Sequence, residues 1–247
     1  MIQINKALIN ILLNHKSIRK FKDKKIDKEI LDIIIECGQK APTSNNLQAY
    51  TIIHVQDNMK KEKLAQISGD QKWVVEAPVV LLFCADLYRI KNYSNIESLS
   101  LFGSPELYTV AVIDTALAAE KSLIAAQSLG LGGVIVGGIR NDMEKVHNMF
   151  NLPNLVAPLF LLCLGYPDDD PGLKPRLPKE VIYKVDNYDT EKDTQLIEEY
   201  NKIMEDYYRE RSSIKAKSNW SQKCRQALTK QPRQDVGHFL RSIGFLT

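Results

Sequence analysis

The segment 109–129 places the strongest constraint on how this chain folds. Its residues are apolar or small almost all round a helix, and its only charged members are Asp114, Glu120 and Lys121. A surface helix keeps one polar face toward water, whereas a helix that is apolar all round has to be covered on every side. We therefore predict a helix in the centre of the core or between two subunits, and 247 residues are enough to build such a core.

Four short apolar runs predict the strands of one sheet. They are residues 50–55, 79–85, 134–136 and 159–164. The continuous run 79–85 is typical of a strand that is covered on both faces. Longer segments with helical spacing separate these runs, which favours an α/β or α+β fold with one mixed sheet.

Helix boundaries follow from the spacing of apolar residues and from capping residues. Asp27 predicts an N-cap, while Asn58 and Asn141 predict the starts of two further helices, and residues 88–106 predict a long excursion without a clear period. The other predicted helices cover residues 3–14, 191–211 and 219–228. We expect residues 1–247 to form a single domain in which residues 187–247 pack as a helical arm on the core or on a partner subunit.

The charge balance and the cysteines narrow the possible partners. Lys+Arg 33 against Asp+Glu 30 leaves a formal net charge of +3, too small to indicate a nucleic-acid or anionic membrane partner. The four cysteines form no CxxC pair, and Cys84 and Cys163 lie in apolar runs where a thiol packs as a small hydrophobe. The apolar stretch near the N-terminus is too short and interrupted to predict a signal or a membrane span, so we expect a cytoplasmic protein.

Two clusters of cations have the chemistry to hold an anion. The first comprises His15, Lys16, Ser17 and Arg19. These donors suit a phosphate, but a solvated basic loop is the better interpretation of the cluster taken alone. In the second cluster, Lys174 and Arg176 alternate with prolines that fix the backbone, which is as typical of an exposed polyproline segment as of an anion site.

Two further segments have the composition to line a flat ligand. The loop 41–48 is rich in hydroxyl and amide groups and predicts either a plain turn or a binding lip. The double glycines at 132–133 and 137–138 flank a short apolar strand, and glycine lets a backbone approach a ligand closely. Tight packing of a helix on a strand is the alternative, and the absence of GxGxxG disfavours a Rossmann site.

Side-chain catalysis and metal binding have little support. No Gly-x-Ser-x-Gly elbow, Walker loop or HExxH motif is present, and His54, His147 and His238 are isolated in sequence. The run 168–170 places three aspartates before a Pro-Gly turn, which is more often a solvated loop than a metal site. We therefore assign no metal and no catalytic side chain.

Taken together, several of these segments resemble the nitroreductase family, in its larger branch of oxygen-insensitive NADPH nitroreductases and NADPH-flavin oxidoreductases. The matching segments are residues 15–19, 41–48, 68–72, 129–141, 161–166 and 174–178. They occur in family order across nearly the whole chain. The resemblance implies an α+β fold with a central mixed sheet of four to five strands, surrounded by helices and followed by a C-terminal helical extension.

The resemblance also implies a homodimer that binds FMN at each of two subunit interfaces. It assigns FMN phosphate and ribityl contacts to the basic clusters, namely His15, Lys16, Ser17, Arg19, Lys174 and Arg176. Gln71 would contact the polar edge of the flavin ring. The residues that would line its other side are Thr43, Ser44 and Asn46. The backbone of Val136, Gly137 and Gly138 would lie close to the reactive N5.

The activity that the resemblance implies is ping-pong transfer of hydride from NADPH through FMN to nitro compounds, quinones or free flavins, with the chemistry on the flavin. The family places cations for the 2′-phosphate of NADPH after the long C-terminal helix. Arg211 matches a family arginine, whereas the second expected arginine falls near Ala216, with Lys215 and Lys217 as its neighbours. A basic surface on a flexible linker is the alternative interpretation. Asn45 and Asn46 stand where relatives often carry Ser and Phe, which predicts a more polar and open pocket. Arg233 matches an arginine near the family's acceptor site and predicts binding of anionic acceptors.

Two other functions remain open. A fold and a cofactor do not fix the acceptor, so reductive dehalogenation or ene reduction on the same scaffold is one alternative. The other is a flavin-binding or thiol-based redox sensor in which Cys37 or Cys224 acts.

Overall fold

Four strands form one antiparallel sheet in the computed structural model, which describes residues 6–96, 99–211, 218–229, 233 and 235–247. The strands are β1 (Tyr50–His54), β2 (Val79–Asp86), β3 (Gly132–Val136) and β4 (Val156–Gly165). Their order is β1-β2-β4-β3, and every neighbouring pair is antiparallel. All four predicted strands are confirmed, but the sheet is not mixed. Within the described residues, parallel pairing is limited to an isolated bridge between Ser17 and Gly133.

The central strand β2 is buried along its whole length, as its continuous apolar sequence predicts. Side chains alternate across a strand, so Val80 and Leu82 pack into the core on one face of the sheet. Leu81 and Phe83 pack into the core on the other face, against α2 and α7. The sheet is therefore covered by helices on both sides.

The helices of the first part of the chain surround this sheet. They are α1 (Lys6–Leu13), α2 (Lys28–Gln39), α3 (Asn58–Ile67), α4 (Trp73–Glu76), α5 (Tyr88–Tyr93), α6 (Leu99–Phe102), α7 (Pro105–Ser128) and α8 (Met143–Met149). Short 3-10 turns cover Ser44–Asn46 and Gly137–Asp142. The C-terminal part adds α9 (Lys179–Ile182), α10 (Asp193–Arg211), α11 (Trp220–Thr229) and α12 (Asp235–Ser242).

Helix α7 is the long apolar helix that the sequence predicts. Ser104 caps it by accepting from the amide of Leu107, and Pro105 occupies its first turn. One face packs on α2 and on the sheet. On the opposite face Ile113 and Leu117 are 51% and 40% exposed in the single chain. The prediction of a helix in the core is confirmed for one face only.

Three boundaries differ from the sequence predictions. The N-cap of α3 is Asp57, whose carboxylate accepts from two amides of the first turn, and not Asn58. The N-cap of α8 is likewise Asp142 rather than Asn141, because the Asp142 carboxylate accepts from the amide of Lys145. The predicted excursion 88–106 contains α5, α6 and the start of α7.

The chain divides into two compact units. The first contains residues up to Pro171 together with those from Arg233 onward, so it includes the sheet and α12. The second is Gly172–Pro232 and contains α9, α10 and α11. Within it, Asn201 donates to the hydroxyl of Ser221 and accepts from its amide, and the rings of Tyr200 and Trp220 are in edge contact. In the described part of the chain, no helix has the length and apolar character needed to span a bilayer.

Candidate active site

The first basic cluster is fixed to the edge of the sheet at β3. The amide of Ile18 donates to the carbonyl of Gly133 at 3.0 Å, and the amide of Lys22 donates to the carbonyl of Tyr166 at 2.9 Å. Ile18 is buried, and a Cβ at Gly132 would overlap its side chain, so this position favours glycine. The backbone of the cluster is therefore held in place, and the cluster is not the freely solvated loop that its sequence alone favours.

The side chains of this cluster have different partners. Gln127 Nε2 and His15 Nδ1 form a hydrogen bond of 3.0 Å, which holds the imidazole ring against α7. Lys16 Nζ forms an ion pair with Asp170 at 2.7 Å. The Arg19 guanidinium lies 5.5 Å from the ring centroid of Trp73, over its face. In the described residues Arg19 forms no ion pair with a carboxylate, so its charge remains available to an anion.

The loop that carries Gln71 packs against the glycine pair after β3. The side chain of Gln71 donates to the carbonyl of Ser68 at 2.8 Å. A Cβ at Gly138 would lie 2.8 Å from the Cα, the Cβ and the carbonyl oxygen of Ser68, so no other residue fits there without a shift of the backbone. Gly138 is therefore tightly packed, but in a 3-10 turn against the end of α3 and not in the expected contact of a helix with a strand. The same contact places Gln71 and residues 136–138 on neighbouring segments.

Two buried polar atoms beside Gln71 have no hydrogen-bond partner in the described structure. They are Ser68 Oγ and Trp73 Nε1. An unpaired buried donor or acceptor costs about 1–3 kcal/mol, and most such groups in native proteins are paired. Their position beside Gln71 fits a polar group that comes from outside the chain.

The loop 41–48 is held by the buried carboxylate of Asp114. Its two oxygens accept from the amides of Ser44 and Ala49, each at 3.1 Å. Asn45 and Asn46 have φ values of 48° and 58°, a left-handed conformation that asparagine tolerates better than most residues. Thr43 lies just ahead of this turn in an extended conformation. The loop is thus a strained, anchored turn.

This loop and the His15 cluster are anchored far apart on α7. Asp114 holds the loop and Gln127 holds His15. Thirteen residues of α-helix separate these anchors, which corresponds to about 20 Å along the helix axis. None of the described contacts brings Ser44 or Asn46 to the His15 cluster within one chain.

The second basic cluster lies in the second unit of the chain. Tyr200 donates from its hydroxyl to the carbonyl of Pro175 at 2.9 Å, and burial raises the pKa of Tyr200, so the hydroxyl keeps its proton. This bond fixes the backbone between Lys174 and Arg176. Lys174 Nζ lies 5.7 Å from the ring centroid of Tyr208.

Arg140 is a site residue that sequence reasoning missed. It follows the glycine pair, and a Cβ at Gly137 would lie 2.8 Å from its Nη2. Arg140 Nη1 donates to the carbonyl of Leu159 at 2.6 Å. Burial lowers its pKa, and the charge of Arg233 lowers it further. Position next to the double glycine was the only signal in the sequence.

Arg140 and Arg233 line one cavity of about 450 Å³. Arg233 is exposed, and its Nε donates to Asn141 Oδ1 at 2.8 Å. His238 also lines this cavity, so it is not isolated in space. Of the residues expected to bind NADPH, Arg211 ends α10, and Lys215 and Lys217 lie outside the described residues.

Other chemistry-bearing residues lie apart from these segments. His147 is buried in edge contact with the ring of Phe239. Cys84 and Cys163 are fully buried, and burial raises the pKa of the Cys163 thiol to about 12, which agrees with a packing role. Across the described residues, no group of three or more His, Cys, Asp or Glu side chains is arranged to hold a metal ion.

The fold is of the α+β class, with an antiparallel sheet between helices. The basic cluster, the Gln71 loop and the glycine pair meet at its strand β3. Residues 12–166 match the nitroreductase family, and residues 174–247 match the nitroreductase family, C-terminal domain. The chain belongs to the nitroreductase family, and the predicted family and fold class are confirmed.

Individual relatives are similar over almost the whole chain. FMN reductase (NADPH) from Bacillus subtilis is 38% identical over 96% of this chain and 97% of its own. Oxygen-insensitive NADPH nitroreductase from Salmonella typhimurium is 37% identical over 97% of this chain and 98% of its own. The solved structure of NfrA1 nitroreductase from B. subtilis superposes with a TM-score of 0.93 at 37% identity, over 97% of this chain and 99% of that one.

Proposed function

We propose that this protein is an FMN-dependent oxidoreductase that transfers hydride from NADPH to nitro compounds, quinones or free flavins. The observation that carries this proposal is the convergence of three segments at β3. Ile18 of the basic cluster packs on Gly132, Arg19 stacks on Trp73, and Gly138 packs on Ser68 beside Gln71. Relatives named FMN reductase (NADPH) and NADPH nitroreductase support the same activity.

The residues of this site fit FMN. This site offers a phosphate the imidazole of His15, the hydroxyl of Ser17 and the guanidinium of Arg19, which has no ion pair with the described carboxylates. Such a set suits a phosphate dianion. The unpaired Ser68 Oγ and Trp73 Nε1 fit the polar groups of the ribityl chain or ring, with Gln71 between them in sequence. FMN, when bound, supplies two-electron chemistry that side chains lack.

Several residues position the site rather than contact the cofactor. Lys16 is paired with Asp170, so we assign it to holding the backbone of the cluster in addition to contributing positive charge. Gln127 orients the ring of His15. Lys174 and Arg176, on a backbone fixed by Tyr200, would add cations to the phosphate.

A second copy of the chain completes the site in this proposal. One chain carries an uncovered apolar surface composed of Leu8, Ile9, Leu12 and Leu13 of α1 with Ile113 and Leu117 of α7. Exposed apolar patches of this kind mark interfaces. A homodimer that buries α1 and α7 would supply Thr43, Ser44, Asn45 and Asn46 to the flavin of its partner, which accounts for the separate anchors on α7.

Anionic acceptors and NADPH would be bound by cations outside the flavin cluster. Arg140 and Arg233 face one cavity, whose lining also includes Asp142, Glu144 and Asp235. No ion pair engages either guanidinium in the described structure. We assign Arg233 to acceptor binding, and Arg211, Lys215 and Lys217 to the 2′-phosphate of NADPH. The four free cysteines suit the reducing cytoplasm, where we place the protein.

The experiment that tests this function is anaerobic absorbance of the purified protein with FMN. Flavin bands should bleach on adding NADPH, more slowly with NADH, and return on adding a nitroaromatic or a quinone. A protein that fails to retain FMN would contradict the proposal. A bound flavin that NADPH does not reduce would instead favour the sensor.

The dimer has its own test by light scattering and flavin retention. Leu117→Glu should shift the protein toward a monomer that releases FMN, because a charge would be buried in the proposed interface. Met59→Glu, at a side chain 67% exposed on α3, is the matched control and should remain dimeric. A wild-type monomer that binds FMN would contradict the shared site.

A further inference from the structure

A second cleft opens where β1 ends and β2 begins. Its volume is about 1010 Å³, and its walls also include the first turn of α2 and of α3. None of the residues assigned above to FMN, NADPH or the acceptor lines it. The proposed function therefore does not use this cleft.

Lysines dominate the lining of this cleft. They are Lys22, Lys24, Lys25, Lys28 and Lys61, against the acidic residues Asp23, Asp32 and Glu76. Lys28 is paired with Asp32, and Lys24 lies over the ring of Tyr166. Five lysines against three carboxylates give the lining of the cleft a positive net charge.

Lys61 is the unusual residue of this set. It is 7% exposed, and its Nζ donates to the carbonyl of Ala77 at 3.1 Å. A lysine is almost never this buried without a paired carboxylate. Among the described residues no carboxylate lies within ion-pair distance of Lys61, and burial lowers its pKa. His54, which faces the same cleft, has its pKa lowered by burial and by the charge of Lys61.

Part of the cleft lining is apolar. Ile26, Leu31 and Val75 line the cleft and keep part of their surface exposed. An inorganic anion would use the lysines and leave this surface unused, whereas an organic molecule with a phosphate would use both. Such a ligand would also provide the opposite charge that Lys61 lacks.

We propose that this cleft binds a small organic phosphate, with Lys61 and Lys25 holding the phosphate and Leu31 and Val75 contacting the organic part. The site does not depend on the flavin and operates beside the proposed function. Its occupancy would change the electrostatics at the start of β2 without direct contact with the acceptor.

Calorimetric titration of the FMN-supplemented protein with ADP tests the site. ADP should bind once per chain in the presence of saturating NADP⁺, which occupies the nucleotide site of the proposed function. Loss of ADP binding on adding NADP⁺ would overturn the proposal, because ADP would then share that site. An absence of binding heat in both conditions would overturn it as well.

The ADP affinity of three variants distinguishes binding in the cleft from nonspecific electrostatic attraction to the protein. Lys61→Met should weaken ADP binding by about tenfold or more, the effect of losing a charge-assisted hydrogen bond. Lys25→Gln should also weaken it, at an exposed residue whose replacement does not threaten folding, whereas Lys145→Gln, on the exposed face of α8, should not. Equal affinity in Lys25→Gln and Lys145→Gln would overturn the proposal. Inorganic pyrophosphate that binds as tightly as ADP would overturn the role of the apolar wall.

Discussion

The packing of Gly138 on Ser68 predicts a defined defect when a single methyl group is added. In Gly138→Ala the new Cβ would meet backbone and side-chain atoms of Ser68 at 2.8 Å. Carbon atoms in contact normally lie about 3.5–4.0 Å apart, so the two segments must separate by roughly 1 Å. None of these three contacts can be relieved by rotating a side chain, because the backbone of Ser68 fixes the positions of its Cα, Cβ and carbonyl oxygen.

This separation should lower both the stability of the protein and its rate of flavin reduction. Overpacking of a well-packed site costs about 1–3 kcal/mol. For a chain of this size each kcal/mol lowers the melting temperature by about 2–4 °C, so we expect a decrease of roughly 2–12 °C. Displacement of Gln71 by about 1 Å should also slow flavin reduction by NADPH by about a hundredfold, the usual cost of such a misplacement.

The assay combines thermal denaturation, flavin fluorescence titration and stopped-flow reduction by NADPH. Gly237→Ala is the control, since its Cβ would lie 3.6 Å from the flexible guanidinium of Arg241 in the interior of α12. Alanine in a helix is more stable than glycine by about 0.5–1 kcal/mol, so this variant should melt slightly higher and bind FMN normally. A Gly138→Ala protein that melts, binds FMN and is reduced like the wild type would refute the assignment of this glycine.

Three further predictions concern charged residues. Asp114→Asn should destabilise the protein by about 1–3 kcal/mol in chemical denaturation, because one of the two loop amides loses its acceptor, and an unchanged midpoint would show that the loop is held otherwise. Arg19→Ala should weaken FMN binding by about tenfold or more in fluorescence titration, whereas Lys20→Ala should not, and equal losses would indicate bulk charge rather than a specific contact. Lys61→Met should raise the melting temperature at pH values below the lowered folded pKa of Lys61, where the ammonium is charged in both states and its burial penalty is fully present. This gain should shrink as the pH rises from the lowered folded pKa toward the ordinary value of 10.5, and a gain independent of pH would contradict the burial argument.

The sequence was most informative where the physical signal is local. Continuous apolar runs identify β2 and β4 because a strand that is covered on both faces has no polar alternation. The apolar composition of residues 109–129 identifies α7 for a related reason. The glycine pair 137–138 was ambiguous, because glycine signals a close approach without saying whether the neighbour is a ligand or the chain itself.

The residues that the sequence did not reveal are recognised only by their contacts in the folded chain. The nearby glycine pair is the only sequence signal for Arg140, and it does not reveal the packing of the guanidinium against the backbone of Gly137. Trp73 is similar, since the contact with Arg19 joins two separate segments. The displaced caps have a local cause: Asp57 and Asn58 are both good capping residues, and the acceptor geometry of the first turn selects the carboxylate.

The position of Asp114 on α7 connects the fold with the proposed assembly. A charged residue in an apolar helix is costly to bury, and here both carboxylate oxygens are used to hold the loop 41–48. The loop is therefore fixed at the middle of α7, while the phosphate-type donors are fixed through Gln127 near its end. A single flavin cannot use both sets in the way the resemblance implies unless two copies of α7 run past each other. The exposed Ile113 and Leu117 lie on the face that such a pairing would cover, so the same helix would support the core of one subunit and complete the site of the other.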